Sequence, residues 1–284
     1  MHIMVKIIEF HGCSGSGKSI LANLSISYLN KKGYEALGRE KSETLGFTKW
    51  LSEENRAKYP MELKALRTLS KLIPRSLWIK IVDKSTFFGD KHLYKRKLMT
   101  DCLTDNIETV NMIYKNAKEL SDDQDRKREI LEGLLESLTR YENAKRYFKN
   151  EIIVLDEAFL KLLSPLYTNL WTENLPKNYK KDIKKLVIQV SPMVDFTFFV
   201  NTKPELCIKR QKKRGIIVSK EYREKGTWKG IERSFCQHKF IHQTLKENGV
   251  RAFQIDNNGS FEKAKEQLYQ HLDQVIVELE NGTD

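Results

Sequence analysis

The sequence predicts an α/β protein: a doubly wound, parallel five-stranded sheet with a large helical insertion between the second and third strands. Three observations carry this expectation. Five short segments rich in apolar and β-branched residues alternate with helix-patterned segments, as a sheet built from β-α-β units requires. A glycine loop, "GCSGSGKS", stands between the first strand signal and the first helix signal. The stretch from about residue 41 to 150 carries helix-spaced apolar residues and little strand signal.

Each element has its own justification. "IMVKIIEF" (3–10) is a short apolar run of branched residues, the pattern of a strand buried on both faces. A helix is expected to start in the glycine loop and to run through "KSILANLSISYLNKKG", with Gly33 stopping it at the position after the cap. "YEALGRE" (34–40) is a weaker second strand, "EIIVLDE" (151–157) a strong third, "DFTFFVNT" (195–202) a fourth and "VRAFQIDN" (250–257) a fifth. Helical patterns follow the last two, in "KPELCIKRQKKR" and "SFEKAKEQLYQHLDQVIVELE". Within the insertion, "YPMELKALRTLSKLIPRSLWIKIV" and "DNIETVNMIYKNAKEL" are helix-patterned. The clearest case is "DRKREILEGLLESLTRYENAKRYFKN", where Ile130, Leu131, Leu134, Leu135, Leu138 and Tyr141 share one face. The expected organisation is a core made of 1–48 and 150–284, a helical insertion at 49–149 and a basic loop at about 215–230.

The 284 residues suffice for a hydrophobic core without disulfides or metals. Hydrophobic residues make up 40% and charged residues 31%, which predicts a globular chain with a densely charged surface. Cys13, Cys102, Cys207 and Cys236 lie far apart and form no C-x-x-C pair, so reduced thiols in a cytoplasmic protein are expected. Cys13 reads simply as a small loop residue. No run approaches 18 apolar residues and no leader pattern opens the chain, which predicts neither a membrane span nor a signal peptide. The net charge of +12 favours anionic partners. It is concentrated at 49–98, with 13 Lys/Arg against 5 Asp/Glu, and at 203–239, with 12 against 4.

From Gly12 to Ser19 the chain fits G-x-x-x-x-G-K-[ST]. Glycines let successive N–H groups curl around phosphate oxygens, and the following helix points its positive end at the same anion. Chance alone would produce the pattern in roughly one chain of this length per hundred, and here it sits between a strand and a helix. Gly12, Ser14, Gly15, Ser16, Gly17, Lys18, Ser19 and Ile20 are therefore expected to hold a nucleoside triphosphate. Lys18 would lie on the β- and γ-phosphates and Ser19 on Mg²⁺. The third strand ends in Asp156-Glu157, which places carboxylates for the metal at the ligand-binding edge of a parallel sheet. Asp156 is the first choice, and Glu157, its neighbour, points the other way.

The segment "DFTFFVNTKPELCIKRQKKRG" (195–215) resembles the nucleoside- and nucleotide-kinase group of P-loop proteins. That resemblance implies that the helix carries arginines into a lid, with Arg210 against the adenine and Arg214 on the phosphates, and that Asp256 and Asn257, in "QIDNNGSFEKA", lie near the base. "LGREKSETLG" (37–46) is similar to the "R-E-P-G-G-T-x-L-G" segment of thymidylate kinases and the "E-P-V" segment of deoxynucleoside kinases. By that likeness Glu40 faces the accepting hydroxyl and serves as its base. Two departures stand out. Lys41 replaces the proline, and Ala158 follows Asp156-Glu157 where those families have an acid-arginine pair. The missing arginine argues for a neutral alcohol acceptor over a nucleoside monophosphate. In those kinases the region between strands two and three covers the acceptor; here it offers Trp50, Trp78, Phe87 and Phe88 for stacking, though core packing is the expected role of each.

The resulting expectation is a Mg²⁺- and ATP-dependent kinase acting on a hydroxyl of a nucleoside, sugar or related metabolite, with Lys18, Glu40, Asp156 and Arg214 as its catalytic residues. The alternatives are a thymidylate-type monophosphate kinase and a P-loop ATPase that engages nucleic acid through the basic insertion. Expected partners are ATP and the small acceptor. A homodimer is compatible with this core, and nucleic acid is the less favoured partner. "DKHLYKRKL" (90–98) reads as a solvated helix face rather than a nucleic-acid patch. His238 and His242, four apart on a helix, have the spacing of a metal edge but no third ligand nearby in sequence, and packing is the expected role.

Overall fold

The computed structural model describes residues 5–54, 88–111, 124–156, 158, 160, 179–215 and 227–281. Along the chain these form β1 (Lys6–His11), α1 (Lys18–Lys31), β2 (Ala36–Gly38), α2 (Arg39–Glu54), α3 (Phe88–Asp105), α4 (Gln124–Tyr147) and β3 (Ile152–Asp156). There follow α5 (Tyr179–Val190), a 3₁₀ turn (Ser191–Met193), β4 (Phe196–Asn201), α6 (Pro204–Lys213), α7 (Thr227–Glu247), β5 (Arg251–Asp256) and α8 (Phe261–Asn281). Trp78, Phe87, Glu157 and most of the expected lid lie outside the described residues.

The five strands form one sheet in the order β2-β3-β1-β4-β5, and every pairing is parallel. β1 is central: Phe10 stands beside Asp156 of β3 on one side and Phe198 of β4 on the other. The residues of β1, β3 and β4 are buried except at their ends, which explains their unbroken apolar runs. Alternation divides the sheet into two faces. Ile8, Phe10, Ile152, Val154, Phe196, Phe198 and Val200 pack under α1 and α8 against Leu21, Leu29, Leu268 and Leu272. Ile7, Leu37, Ile153 and Leu155 pack under the helices of the other face, against Phe47, Trp50, Tyr94, Leu138, Tyr141, Leu186 and Ile241. The described helices between β2 and β3 thus share a core with the sheet. Trp50 belongs to that core, with its ring 5.9 Å from Phe47 and 5.5 Å from Tyr94.

α1 ends as its sequence predicts. Gly33, at φ 94°, follows the Lys32 cap, and the Gly33 and Tyr34 amides donate to the Asn30 and Leu29 carbonyls, closing a Schellman turn. The second strand is shorter than expected: only Ala36–Gly38 pair with β3, and Arg39 and Glu40 already form the first turn of α2. Helical bonds from the Ser42 and Thr44 hydroxyls to the Arg39 and Glu40 carbonyls hold that turn, while Phe47 and Trp50 bury its next turns. Thr227–Gly230, expected to be loop, begin α7. Among the described residues no helix is long and apolar enough to cross a membrane.

Candidate active site

β1 delivers the chain at Gly12 to the C-terminal edge of the sheet, where β3 and β4 flank it on opposite sides. In a sheet of this type the edge beside the reversal of strand order is where ligands bind. The loop from Gly12 to Gly17 then turns into α1. Gly15 and Gly17 have φ values of 87° and 96°, which side-chain-bearing residues rarely adopt. A Cβ at Gly15 would also lie 2.6 Å from the Cys207 carbonyl oxygen, and one at Gly17 2.7 Å from Asn257 Nδ2. Gly17 caps α1 without a side-chain hydrogen bond, and the first turn of α1 holds no acidic residue. The helix therefore offers its N–H groups and positive end to an external anion.

Lys18 is buried, with Nζ 3.5 Å from the Cys13 carbonyl oxygen, so its ammonium curls back over the loop. Ser14, Ser19 and Ile20 are exposed, and Ser16 is buried. The loop is gripped from behind. The Ser16 carbonyl accepts hydrogen bonds from Thr202 Oγ1 (3.0 Å), Arg210 Nη1 (3.1 Å) and Asn257 Nδ2 (2.7 Å). The Ser14 carbonyl accepts one from Gln211 Nε2 (2.6 Å). Arg210 also donates through Nη2 to the Asn257 carbonyl at 3.1 Å, which ties α6 to the turn after β5.

Beside this loop lies a cavity of about 450 Å³, lined by Gly17, Ile20, Arg210, Lys213, Arg214, Asn257 and Phe261. Arg210 and Arg214, expected to meet a nucleotide, share this cavity with Asn257, while Asp256 ends β5 and turns its carboxylate to the Asn258 backbone amide at 3.2 Å. Arg214 follows the last turn of α6 and is exposed. Lys213 and Phe261 are lining residues that sequence reasoning missed. Phe261 opens α8 and stays partly exposed; an aromatic side chain at the start of a helix, just after the "DNNGS" turn, was the available signal.

Asp156 ends β3 at the same sheet edge, level with Phe10 and partly exposed. Its carboxylate and the Ser19 hydroxyl are hard oxygen donors of the kind Mg²⁺ takes alongside phosphate and water. Among the described residues no group of three or more His, Cys, Asp or Glu could hold a metal ion. Glu40 stands exposed in the first turn of α2, two residues beyond β2.

On the insertion face of β1, two buried residues had given no sequence signal. Glu9 is fully buried; it accepts hydrogen bonds from Tyr141 Oη at 2.5 Å and from the Leu160 amide at 2.7 Å. Burial raises its pKa to about 7, against the lowering effects of Tyr141, the Leu160 and Ala158 amides and nearby Arg140. Arg140 is itself buried and pairs with Glu43 at 3.1 Å and Glu136 at 2.8 Å. His11 is the third imidazole beside His238 and His242: its Nδ1 lies 3.3 Å from His238 Nδ1, and its ring stacks on Phe199. Burial first, then the neighbouring histidines, hold His11 well below the ordinary histidine pKa, and burial with Lys246 nearby pushes His242 down to about 4. His11 and His242 are thus held neutral, and the three rings pack where α7 meets the sheet.

No family model matches the sequence, and no curated protein matches it. Among solved structures, the chain is similar to deoxyadenosine kinase from M. mycoides with bound dATP: 15% identity and a TM-score of 0.38 over 94% of this chain and 100% of that one. The same enzyme with dCTP bound gives 15% identity and a TM-score of 0.38, covering 94% of this chain and 99% of that one. With its products dCMP and dCDP bound, the values are 14% and 0.36, covering 95% and 99%.

Proposed function

We propose that the protein is a Mg²⁺- and ATP-dependent phosphotransferase that moves the γ-phosphate to a hydroxyl of a small acceptor, a nucleoside, sugar or related metabolite. The observation that supports it most is the joining of the glycine loop, with Lys18 folded over it, to a cavity lined by Arg210, Lys213, Arg214 and Phe261. The loop suits a polyphosphate, the three cations suit its charge, and the Phe261 ring and Arg210 guanidinium suit a flat base. Phosphoryl transfer needs little covalent chemistry from a protein, so positioning and charge neutralisation are its main contributions.

In this reading the Gly12–Ser19 backbone orients the phosphate chain and Lys18 swings from the Cys13 carbonyl onto its terminal oxygens. Ser19 and Asp156 would hold Mg²⁺, which when bound neutralises charge between the β- and γ-phosphates. Arg214, at the C-terminal end of α6, would meet the oxygens of the transferring group and neutralise their charge. Glu40 accepts the proton of the attacking hydroxyl.

The deciding experiment incubates the protein with ATP, Mg²⁺ and a panel of nucleosides, nucleoside monophosphates and sugars, read by mass spectrometry. An acceptor gaining one phosphoryl group, with the product lost in Lys18→Ala, supports the reading. ADP formed only with DNA or RNA and no phosphorylated acceptor would support the ATPase alternative instead. An unaltered turnover in folded Lys18→Ala would remove the phosphate-loop assignment.

A further inference from the structure

We propose that Cys13 and Cys207 form a modification site, an oxidisable dithiol whose conversion to a disulfide fastens the phosphate loop to α6 and weakens anion binding there. The two thiols are separated by most of the chain and meet with their sulfurs 3.5 Å apart. Both point at one acceptor, the Thr202 carbonyl, at 3.8 and 3.6 Å. Both are buried in a small apolar cluster with Ile231, packed by Ile208 and Phe235. Cys13 stands inside the glycine loop, and Cys207 lies on the helix that carries Arg210 and Arg214.

The two thiols are not equivalent. Their mutual contact and the nearby Lys18 ammonium lower the Cys13 thiol pKa, while the same contact and burial raise that of Cys207. Cys13 is therefore the attacking sulfur and Cys207 the resolving one. With a hydroperoxide as oxidant, the Cys13 thiolate attacks the terminal oxygen. An S–O bond forms, the O–O bond breaks, and the departing alkoxide or hydroxide takes up a proton. Cys207 sulfur then displaces hydroxide from the Cys13 sulfenic acid. The S–S bond forms and the Cys207 proton leaves with that hydroxide as water, so two thiols and one hydroperoxide give one disulfide, one alcohol or water, and one further water.

A disulfide has its sulfurs about 2.05 Å apart, so they must close by about 1.5 Å. The loop and α6 already meet closely there, since a Cβ at Gly15 would lie 2.6 Å from the Cys207 carbonyl oxygen, so closing the gap strains the contact between them. The Cys13 carbonyl accepts from the Ser16 amide at 3.0 Å and lies 3.5 Å from Lys18 Nζ, so a shift at Cys13 carries the phosphate-facing residues with it. Linkage makes the effect reciprocal: an anion seated in the loop disfavours the disulfide.

The consequence for affinity rests on the nucleotide reading of the loop; the cross-link itself does not. The test treats the reduced full-length protein with hydrogen peroxide, with and without ADP, and maps peptides without reduction. A cross-linked peptide pair joining Cys13 to Cys207, 2 Da lighter than the two thiol peptides, is expected, with less of it in the presence of ADP. A fluorescent ADP analogue should bind ~10-fold or more weakly to the oxidised protein, and dithiothreitol should restore it. Cys207→Ala should leave a dimedone-trappable sulfenic acid at Cys13, whereas Cys236→Ser should cross-link like the wild type. Oxidation at the exposed Cys236 with Cys13 and Cys207 recovered as free thiols would overturn the proposal, as would a complete cross-link with unchanged analogue affinity. If reduced protein fails to bind the analogue, the nucleotide reading falls, and the peptide map still decides the dithiol.

Discussion

Replacing Glu9 by Gln isolates the energetic consequence of burying a carboxyl in the middle of a sheet. In the fold Glu9 keeps its proton up to about pH 7, and an unfolded chain releases it near 4.5. Between those values the folded state binds more protons than the unfolded state. Glu9's contribution is thus fully present below 4.5 and is lost as pH rises through 7. At 1.36 kcal/mol per pH decade the loss amounts to about 3 kcal/mol. His11 and His242 act in the opposite sense. Unfolded, they bind protons near 6.5, but the fold keeps them neutral well below that, so their contribution is lost as pH falls. The wild-type profile mixes both trends; the difference between wild type and Glu9→Gln does not. Glutamine resembles protonated Glu9 in shape and cannot ionise. Urea unfolding followed by circular dichroism, from pH 5 to 8.5, should show the variant gaining on the wild type by about 3 kcal/mol across that range. A difference that stays flat with pH, or runs the other way, would refute the argument that Glu9 ionises only at the expense of its burial.

Asp156→Asn should lower Mg²⁺-dependent turnover by ~10²-fold or more and raise the magnesium concentration needed for half activity; an unchanged magnesium titration would move the metal role elsewhere. Arg214→Lys keeps the charge and loses the planar fork, so turnover should fall more than ATP affinity. Lys212→Ala, on the same helix but outside the cavity lining, is the control, and equal small losses in Lys212→Ala and Arg214→Ala would reduce Arg214 to surface charge. Glu40→Gln should lower turnover ~10²- to 10⁴-fold if the acceptor is an alcohol; tolerance of the change together with phosphorylation of nucleoside monophosphates would point to an acceptor that needs no base.

Much of the sheet could be read from the sequence because β1, β3 and β4 are buried on both faces and so carry continuous apolar runs. β2 was harder. Three paired residues give too short a pattern, and the polar Arg39-Glu40 pair suits a strand exit and a helix start equally well. Packing of Phe47 and Trp50 decides for the helix, and that is a tertiary fact. The phosphate loop announced itself because its glycines, lysine and serine must be contiguous to surround one anion. The groups that brace it cannot be contiguous. Thr202, Arg210, Gln211 and Asn257 come from the ends of β4 and β5 and from α6; Arg210 and Asn257 were expected near a nucleotide by family likeness, but none of the four was legible as a brace for the loop. The same holds for Glu9 with Tyr141, His11 with His238, and Cys13 with Cys207. Charged or reactive residues look like surface in a sequence, and only the fold reveals that these are inside.

The three donors converging on the Ser16 carbonyl bear on where the adjoining amide points. A trans peptide sends its C=O and the next residue's N–H in opposite directions. By anchoring the oxygen, Thr202, Arg210 and Asn257 fix the Gly17 N–H to point away from them. The loop's aim is thus fixed from three directions before any ligand arrives, and little reorientation is left for binding to bring about. Side chains outside the glycine motif would in this way govern how well the anion is received. Conservative changes at Thr202 or Asn257 should consequently blur recognition at the loop while leaving every residue of the glycine motif intact.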